Sequence, residues 1–107
     1  MGLNVVTDSD FSDVISSNDK VVIKYYAGWC GSCRMLSPKF KRLSNDSRFD
    51  GVAFIDIDAE NNPEARVFSG VNKLPFIVTI KNGKIQEAVG TSNEENIVNM
   101  ITNLMNT

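Results

Sequence analysis

Hydrophobic residues along this chain switch period repeatedly. Leu3–Val6, Val21–Ala27 and Val52–Asp58 are short runs rich in β-branched or aromatic residues, and each reads as a strand. Between them the apolar spacing changes to three and four. Phe11, Val14 and Ile15 form one stripe behind Thr7 and Asp10, which read as a helix-capping pair. Leu36, Phe40 and Leu43 form a second stripe, with Arg34, Lys41 and Arg42 off it, and Pro38 inside it predicts a kink. Pro63 suits the first turn of a third helix and Gly70 its end. Phe76–Ile80 and Lys84–Val89 flank Asn82-Gly83, a strong hairpin signal. Ser92 with Glu95 predicts the start of a last helix, whose inner face is Ile97, Ile101, Leu104 and Met105.

The predicted order is β-α-β-α-β-α-β-β-α. Strands joined through a crossover helix should lie parallel, and the hairpin must be antiparallel. This is an α/β pattern: a central mixed sheet of about five strands flanked by about four helices. No linker, repeat or low-complexity stretch interrupts it, so residues 1–107 read as a single domain.

Composition narrows the function classes. Hydrophobic residues at 42% against 22% charged describe a soluble globular chain. A net charge of −2 argues against nucleic acid as the main ligand. Arg34, Lys39, Lys41 and Arg42 cluster locally and read as a solvated helix face. No apolar run approaches the ~20 residues that span a bilayer. The N-terminal stretch has no basic lead and meets Asp8 and Asp10 early, so no signal peptide and a cytoplasmic setting are expected.

The chemistry gathers in Ala27-Gly28-Trp29-Cys30-Gly31-Ser32-Cys33, which holds the only tryptophan and both cysteines. A redox couple, half of a metal site and two inert core thiols compete. Structural zinc wants four Cys or His, whereas the chain has two Cys and no His, so no metal is expected. Cys30 falls between a predicted parallel strand and a helix start, where open α/β sheets place their sites. Unpaired N–H groups and the helix dipole there favour a thiolate. Cys33 lies near one turn later, within reach of Cys30. C-x-x-C at such a junction favours the redox couple over inert thiols.

Over essentially its full length the chain resembles the thioredoxin family. Trp29-Cys30-Gly31-Ser32-Cys33 is similar to that family's Trp-Cys-Gly-Pro-Cys site with one substitution. Pro38 matches its kinking helix proline, Lys73-Leu74-Pro75-Phe76 the segment with its cis-proline, and Lys81-Asn82-Gly83-Lys84 and Val89-Gly90-Thr91 its hairpin and following glycine. The resemblance implies the thioredoxin fold and thiol-disulfide exchange, with an exposed Cys30 as nucleophile and a more buried Cys33 as resolving thiol. It also implies a cis Leu74–Pro75 bond whose backbone docks substrate. Trp29 would shield the site and support its loop. Gly28 and Gly31 would keep the surface flat, and Leu74, Val89 and Gly90 would add contacts around the thiols. Disulfide-bearing proteins would be the substrates. An NADPH-dependent thioredoxin reductase would supply electrons, with no bound cofactor, to a monomer. An oxidase or isomerase, and a binding subunit with dispensable cysteines, are the alternatives.

Three departures modify that picture. Ser32 replaces a proline, restoring an N–H and adding a hydroxyl near the sulfurs, and is expected to stabilise the Cys30 thiolate. Lys24 stands where the family carries a buried acid, and the acid's lysine partner aligns with Phe54, so that pair is expected to be missing. Lys24 then serves as a base for Cys33, stays charged and supports a thiolate, or buries its stem while its amine reaches water. Phe76 follows Pro75 where the family has threonine; it either makes the docking surface more apolar or turns into the core.

Overall fold

A computed structural model describes residues 2–107. Its strands are β1 (Leu3–Val5), β2 (Lys20–Tyr26), β3 (Ala53–Asp58), β4 (Phe76–Lys81) and β5 (Lys84–Gly90). Its helices are α1 (Asp8–Ser17), α2 (Gly31–Ser44), α3 (Pro63–Ser69) and α4 (Glu94–Met105). The strands form one sheet in the order β1-β3-β2-β4-β5. β2 is its centre, parallel to β3 and antiparallel to β4. Helices cover both faces, so β2 has no polar side to expose, and Val21 to Tyr25 are fully buried.

Each face has its own core. Val21, Ile23, Tyr25, Ile55, Ile57, Phe76, Val78 and Ile80 point one way, against Val6, Phe11, Ala65 and Val71. Val22, Phe54 and Ile77 point the other way, against Leu36, Phe40 and Leu43 of α2 and Ile97, Met100, Ile101 and Leu104 of α4. The period-two alternation of strand side chains makes this division. Lys24 and Asp56 occupy the second face between its apolar residues.

Two of the three helical crossovers link parallel strands, as expected. The third does not: β4 runs antiparallel to β2, and therefore to β3. The reason is length. α3 has 7 residues, which advance the chain only ~10 Å. β3 has 6 residues, a run of ~20 Å. The helix alone does not return the chain to the far end of the sheet, and the loops on either side of it, 59–62 and 70–75, do not make up the difference, since β4 pairs with β2 antiparallel. The hairpin is as predicted, with Asn82 at φ 50° and Gly83 at φ 81°, the paired positive values of a two-residue turn.

Helix ends differ in detail from the sequence signals. Thr7 precedes α1, but its hydroxyl meets Ser9 Oγ at 2.9 Å and does not cap the helix. α4 is capped by Asn93, whose Oδ1 accepts from Asn96 N at 3.0 Å, one residue beyond the predicted Ser92. Pro38 sits inside α2, which continues past it to Ser44. A short 3-10 turn at Ser47–Phe49 carried no sequence signal; Asp46 caps it by accepting from Arg48 N.

Candidate active site

β2 ends at Tyr26, and the chain crosses Ala27, Gly28 and Trp29 before α2 begins. Cys30 is the N-cap residue of α2. Its Sγ accepts a hydrogen bond from Cys33 N at 3.2 Å, and its carbonyl accepts from Arg34 N at 3.2 Å. A helix start has unpaired N–H groups, and here one of them points at sulfur. Cys30 and Cys33 are joined as a disulfide with Cα atoms 5.2 Å apart. Cys30 is not exposed as expected: it is 6% accessible and Cys33 3%. Its sulfur folds back over the helix N-terminus, under Ala27, Tyr26 and Leu74.

The surrounding groups hold this turn. Arg34 donates to the Gly28 carbonyl at 2.9 Å and fastens the loop before the cysteines. Ser32 Oγ lies 3.5 Å from Cys30 Sγ. Trp29 is 66% exposed, and its indole N–H donates to Glu60 Oε2 at 2.8 Å, bridging to the loop after β3. A side chain at Gly28 or Gly31 would stand in open space above the surface.

The Leu74–Pro75 bond is cis, and the Pro75 carbonyl accepts from Thr91 N at 3.2 Å. Leu74 packs against the small cluster of Ala27, Cys30 and Cys33. At Gly90 a Cβ would come within 2.8 Å of Lys73 Cδ, so the bare backbone admits the lysine stem there. Two other expected docking residues face elsewhere. Phe76 is 5% accessible and belongs to the core beside Tyr25, because strand alternation turns it inward. Val89 is 40% exposed and lines a groove with Glu87 and Met100, between β5 and α4.

Lys24 overturns one expectation. Its side chain is 1% accessible, so the amine does not reach water. An acid–lysine pair of another kind, not foreseen from the sequence, stands here. Lys24 faces Asp56 in the β2–β3 register, while Phe54 faces Val22. Lys24 Nζ lies 3.4 Å from Asp56 Oδ1 and donates to Ser37 Oγ at 3.0 Å. The Phe40 and Tyr26 rings lie 5.4 and 5.7 Å away, which adds cation–π attraction. Asp56 Oδ1 is buried and has no hydrogen-bond partner, so its contact with Lys24 is one of charge. Burial raises the Asp56 pKa above the ordinary carboxylate value, and the Lys24 ammonium pulls it partly back. Burial, then the charges of Asp56 and Asp58, raise the Tyr26 phenol.

Lys24, Cys33, Ser37 and Asp58 share one cleft of about 510 Å³, alongside Tyr26 and Gly28. No cluster of three or more metal-ligating side chains occurs among the described residues. Sequence reasoning also missed Asp8, whose carboxylate accepts from Glu64 N at 3.1 Å and Ala65 N at 2.9 Å, capping α3 from a distant part of the chain. An aspartate at a helix start was the available signal, but it pointed to α1.

The family model described as Thioredoxin matches residues 2–103. Thioredoxin-1 of Schizosaccharomyces pombe is 34% identical over 89 residues, 82% of this chain and 84% of its own. A thioredoxin of Staphylococcus epidermidis is 33% identical over 103 residues, 94% of this chain and 96% of its own. The crystal structure of Malassezia sympodialis thioredoxin matches with a TM-score of 0.88 at 27% identity, covering 97% of this chain and 94% of that one. Oxidized mitochondrial thioredoxin 3 of Saccharomyces cerevisiae matches with a TM-score of 0.87 at 28% identity, covering 95% of each chain.

Proposed function

We propose, from the premise that this chain belongs to the thioredoxin family and is a thiol-disulfide oxidoreductase that reduces protein disulfides, that Cys30 attacks and Cys33 resolves. The family works through its own disulfide without a bound cofactor. The observation that carries the assignment is the placement of Cys30 at the N-cap of α2, with Cys33 N donating to its sulfur. That donor and the helix dipole stabilise a thiolate on Cys30 in the reduced protein. Cys33, inside the first turn and less accessible, lacks the cap position.

The reaction runs in two exchanges. The Cys30 thiolate attacks one sulfur of a substrate disulfide; an S–S bond forms to Cys30, and the substrate's other sulfur leaves as a thiolate. Cys33 then loses its proton and attacks Cys30 Sγ, closing the Cys30–Cys33 disulfide and freeing the second substrate sulfur. Trp29, tied to Glu60, covers one side of the exchange. Leu74 and the cis Pro75 form an apolar edge beside the sulfurs, where an extended substrate segment docks. An NADPH-dependent thioredoxin reductase returns two electrons to the disulfide. The setting proposed is the cytoplasm, where thiols are kept reduced, with the protein acting as a monomer.

The test is turnover of a protein disulfide coupled to NADPH through such a reductase. Cys30→Ser should abolish turnover. Cys33→Ser should stall at the mixed disulfide, trapping substrate on Cys30. Turnover that survives in Cys30→Ser would overturn the assignment and favour a binding subunit whose cysteines are dispensable.

A further inference from the structure

The exchange just described uses two sulfurs and leaves one buried charged group without a task. Lys24 is fully buried in the central strand, and burying an ammonium is costly unless it is compensated. Its compensation has a direction. Ser37 accepts from Nζ at 3.0 Å, and Ser37 stands four residues beyond Cys33, one turn along α2, so the two share a helix face. Lys24, Ser37 and Cys33 line the same cleft. The cationic member of the pair therefore shares the cleft with the resolving cysteine, and its anionic partner Asp56 on β3 does not line it.

The other charged and titratable groups at this cleft are Asp58, Arg34 and Tyr26. Asp58 lines it too, but its oxygens accept from Glu60 N at 2.9 Å and Asn61 Nδ2 at 2.7 Å, which ties the carboxylate to the loop after β3. Arg34 is exposed and committed to the Gly28 carbonyl. Tyr26 is a neutral phenol at neutral pH, since its pKa lies above the ordinary value. Charges inside a protein act across a lower dielectric than in water, so a fixed ammonium is felt strongly there.

We propose that Lys24 is a positioning residue for the redox couple: its ammonium, held by Asp56 and Ser37, stabilises negative charge on the Cys33 side of the reduced dithiol and makes the disulfide easier to reduce. In that step a dithiol donor supplies two electrons, the Cys30–Cys33 bond breaks, and the sulfurs take up two protons, or one where a thiolate persists. Lys24 gives up neither proton nor electron. It lowers the free energy of the reduced side. The inference rests on Cys30 and Cys33 being the working couple.

The experiment equilibrates the protein with dithiothreitol redox buffers and traps free thiols. Lys24→Met/Asp56→Leu removes both charges and fills the space with apolar groups. It should lose about tenfold in the equilibrium constant for reduction, a potential about 30 mV more negative. Ser37→Ala keeps the pair but releases its anchor near Cys33, and should shift the constant about two- to threefold the same way. Alkylation against pH should show a higher Cys33 pKa in both. Variants that titrate at the wild-type potential, or at a less negative one, would overturn the proposal. If the charge-free variant does not fold, Ser37→Ala decides alone. A wild-type protein whose cysteines do not titrate as one couple would instead sink the functional reading beneath it.

Discussion

Lys24 and Tyr25 are neighbours on the central strand, and neither has accessible surface. They point to opposite faces of the sheet and bury a polar group by opposite means. The Tyr25 hydroxyl donates to the Ala65 carbonyl at 2.8 Å and meets Ser69 Oγ at 2.7 Å. Its polar atom is satisfied, and it carries no charge at neutral pH. Lys24 brings a charge, and its counter-ion keeps an oxygen with no hydrogen bond. A satisfied hydroxyl fastens α3 to the sheet. An incompletely satisfied ion pair costs stability, and it lies on the side that carries the cysteines. The difference separates a neutral group that packs from a charged one placed on the cysteine-bearing face.

The largest effect that would break this comparison is on stability. Lys24→Ala leaves the Asp56 carboxylate buried without its cation, which should cost about 3–5 kcal/mol. Tyr25→Phe loses only neutral hydrogen bonds and should cost about 1–2 kcal/mol. Urea unfolding with an unchanged m-value measures both. Asp56 adds a sign. Its pKa in the folded state lies above its ordinary value because of burial. The folded state therefore binds the Asp56 proton more tightly than the unfolded chain does, and losing Lys24 strengthens that difference. The penalty for Lys24→Ala should be full at neutral pH and shrink as pH falls toward ~4. A penalty equal to that of Tyr25→Phe, flat with pH, would mean that the two faces do not differ.

The second effect belongs to the other face and appears only in alkali. Burial pushes the Tyr25 pKa up to about 12, with Ser69 opposing and Asp8 adding to the rise. A phenol whose folded pKa exceeds its unfolded value stabilises the fold below the unfolded pKa, and that contribution disappears as pH rises through the folded one. Two units correspond to about 3 kcal/mol, lost between pH ~10 and ~12. Tyr25→Phe should flatten this part of the stability profile. If wild type and Tyr25→Phe lose stability in parallel over that window, the hydroxyl is not the group that titrates.

How far the sequence revealed these features follows from the range of each interaction. The Asn82-Gly83 hairpin, the strand at β2 and the helix behind Cys30 rest on local signals, and all are present. The two cysteines were legible because their spacing and their place at a strand end are local as well. Asp56 was not legible as the partner of Lys24. It lies on another strand, and the β2–β3 register decides whether Phe54 or Asp56 stands opposite. The direction of β4 was hidden for a related reason, since a seven-residue helix and a crossover of full length look alike until the distance is counted. Phe76 could not be assigned to the surface or the core before its strand phase was fixed against Tyr25.

The smallest effect lies outside both buried faces, at Ser32, and it tests whether charge stabilisation at the sulfurs needs burial. Ser32 is exposed, and its hydroxyl is 3.5 Å from Cys30 Sγ, a distance that sulfur tolerates in a weak hydrogen bond. In the reduced protein that hydroxyl can donate to the Cys30 thiolate, as Cys33 N does. Ser32→Pro removes the hydroxyl and one backbone N–H from the first turn of α2. Both losses disfavour the reduced form, so the potential should become more negative. The solvent competes for an exposed donor, and so the shift should stay below tenfold in the equilibrium constant, under about 30 mV. It should also add to the shift of Lys24→Met/Asp56→Leu, because Ser32 acts on Cys30 and Lys24 on the Cys33 side. A Ser32→Pro potential equal to or less negative than wild type would remove Ser32 from the couple. A shift larger than that of the charge-free Lys24–Asp56 variant would invert the comparison, placing the stronger control on the exposed turn and leaving the buried ammonium a structural role.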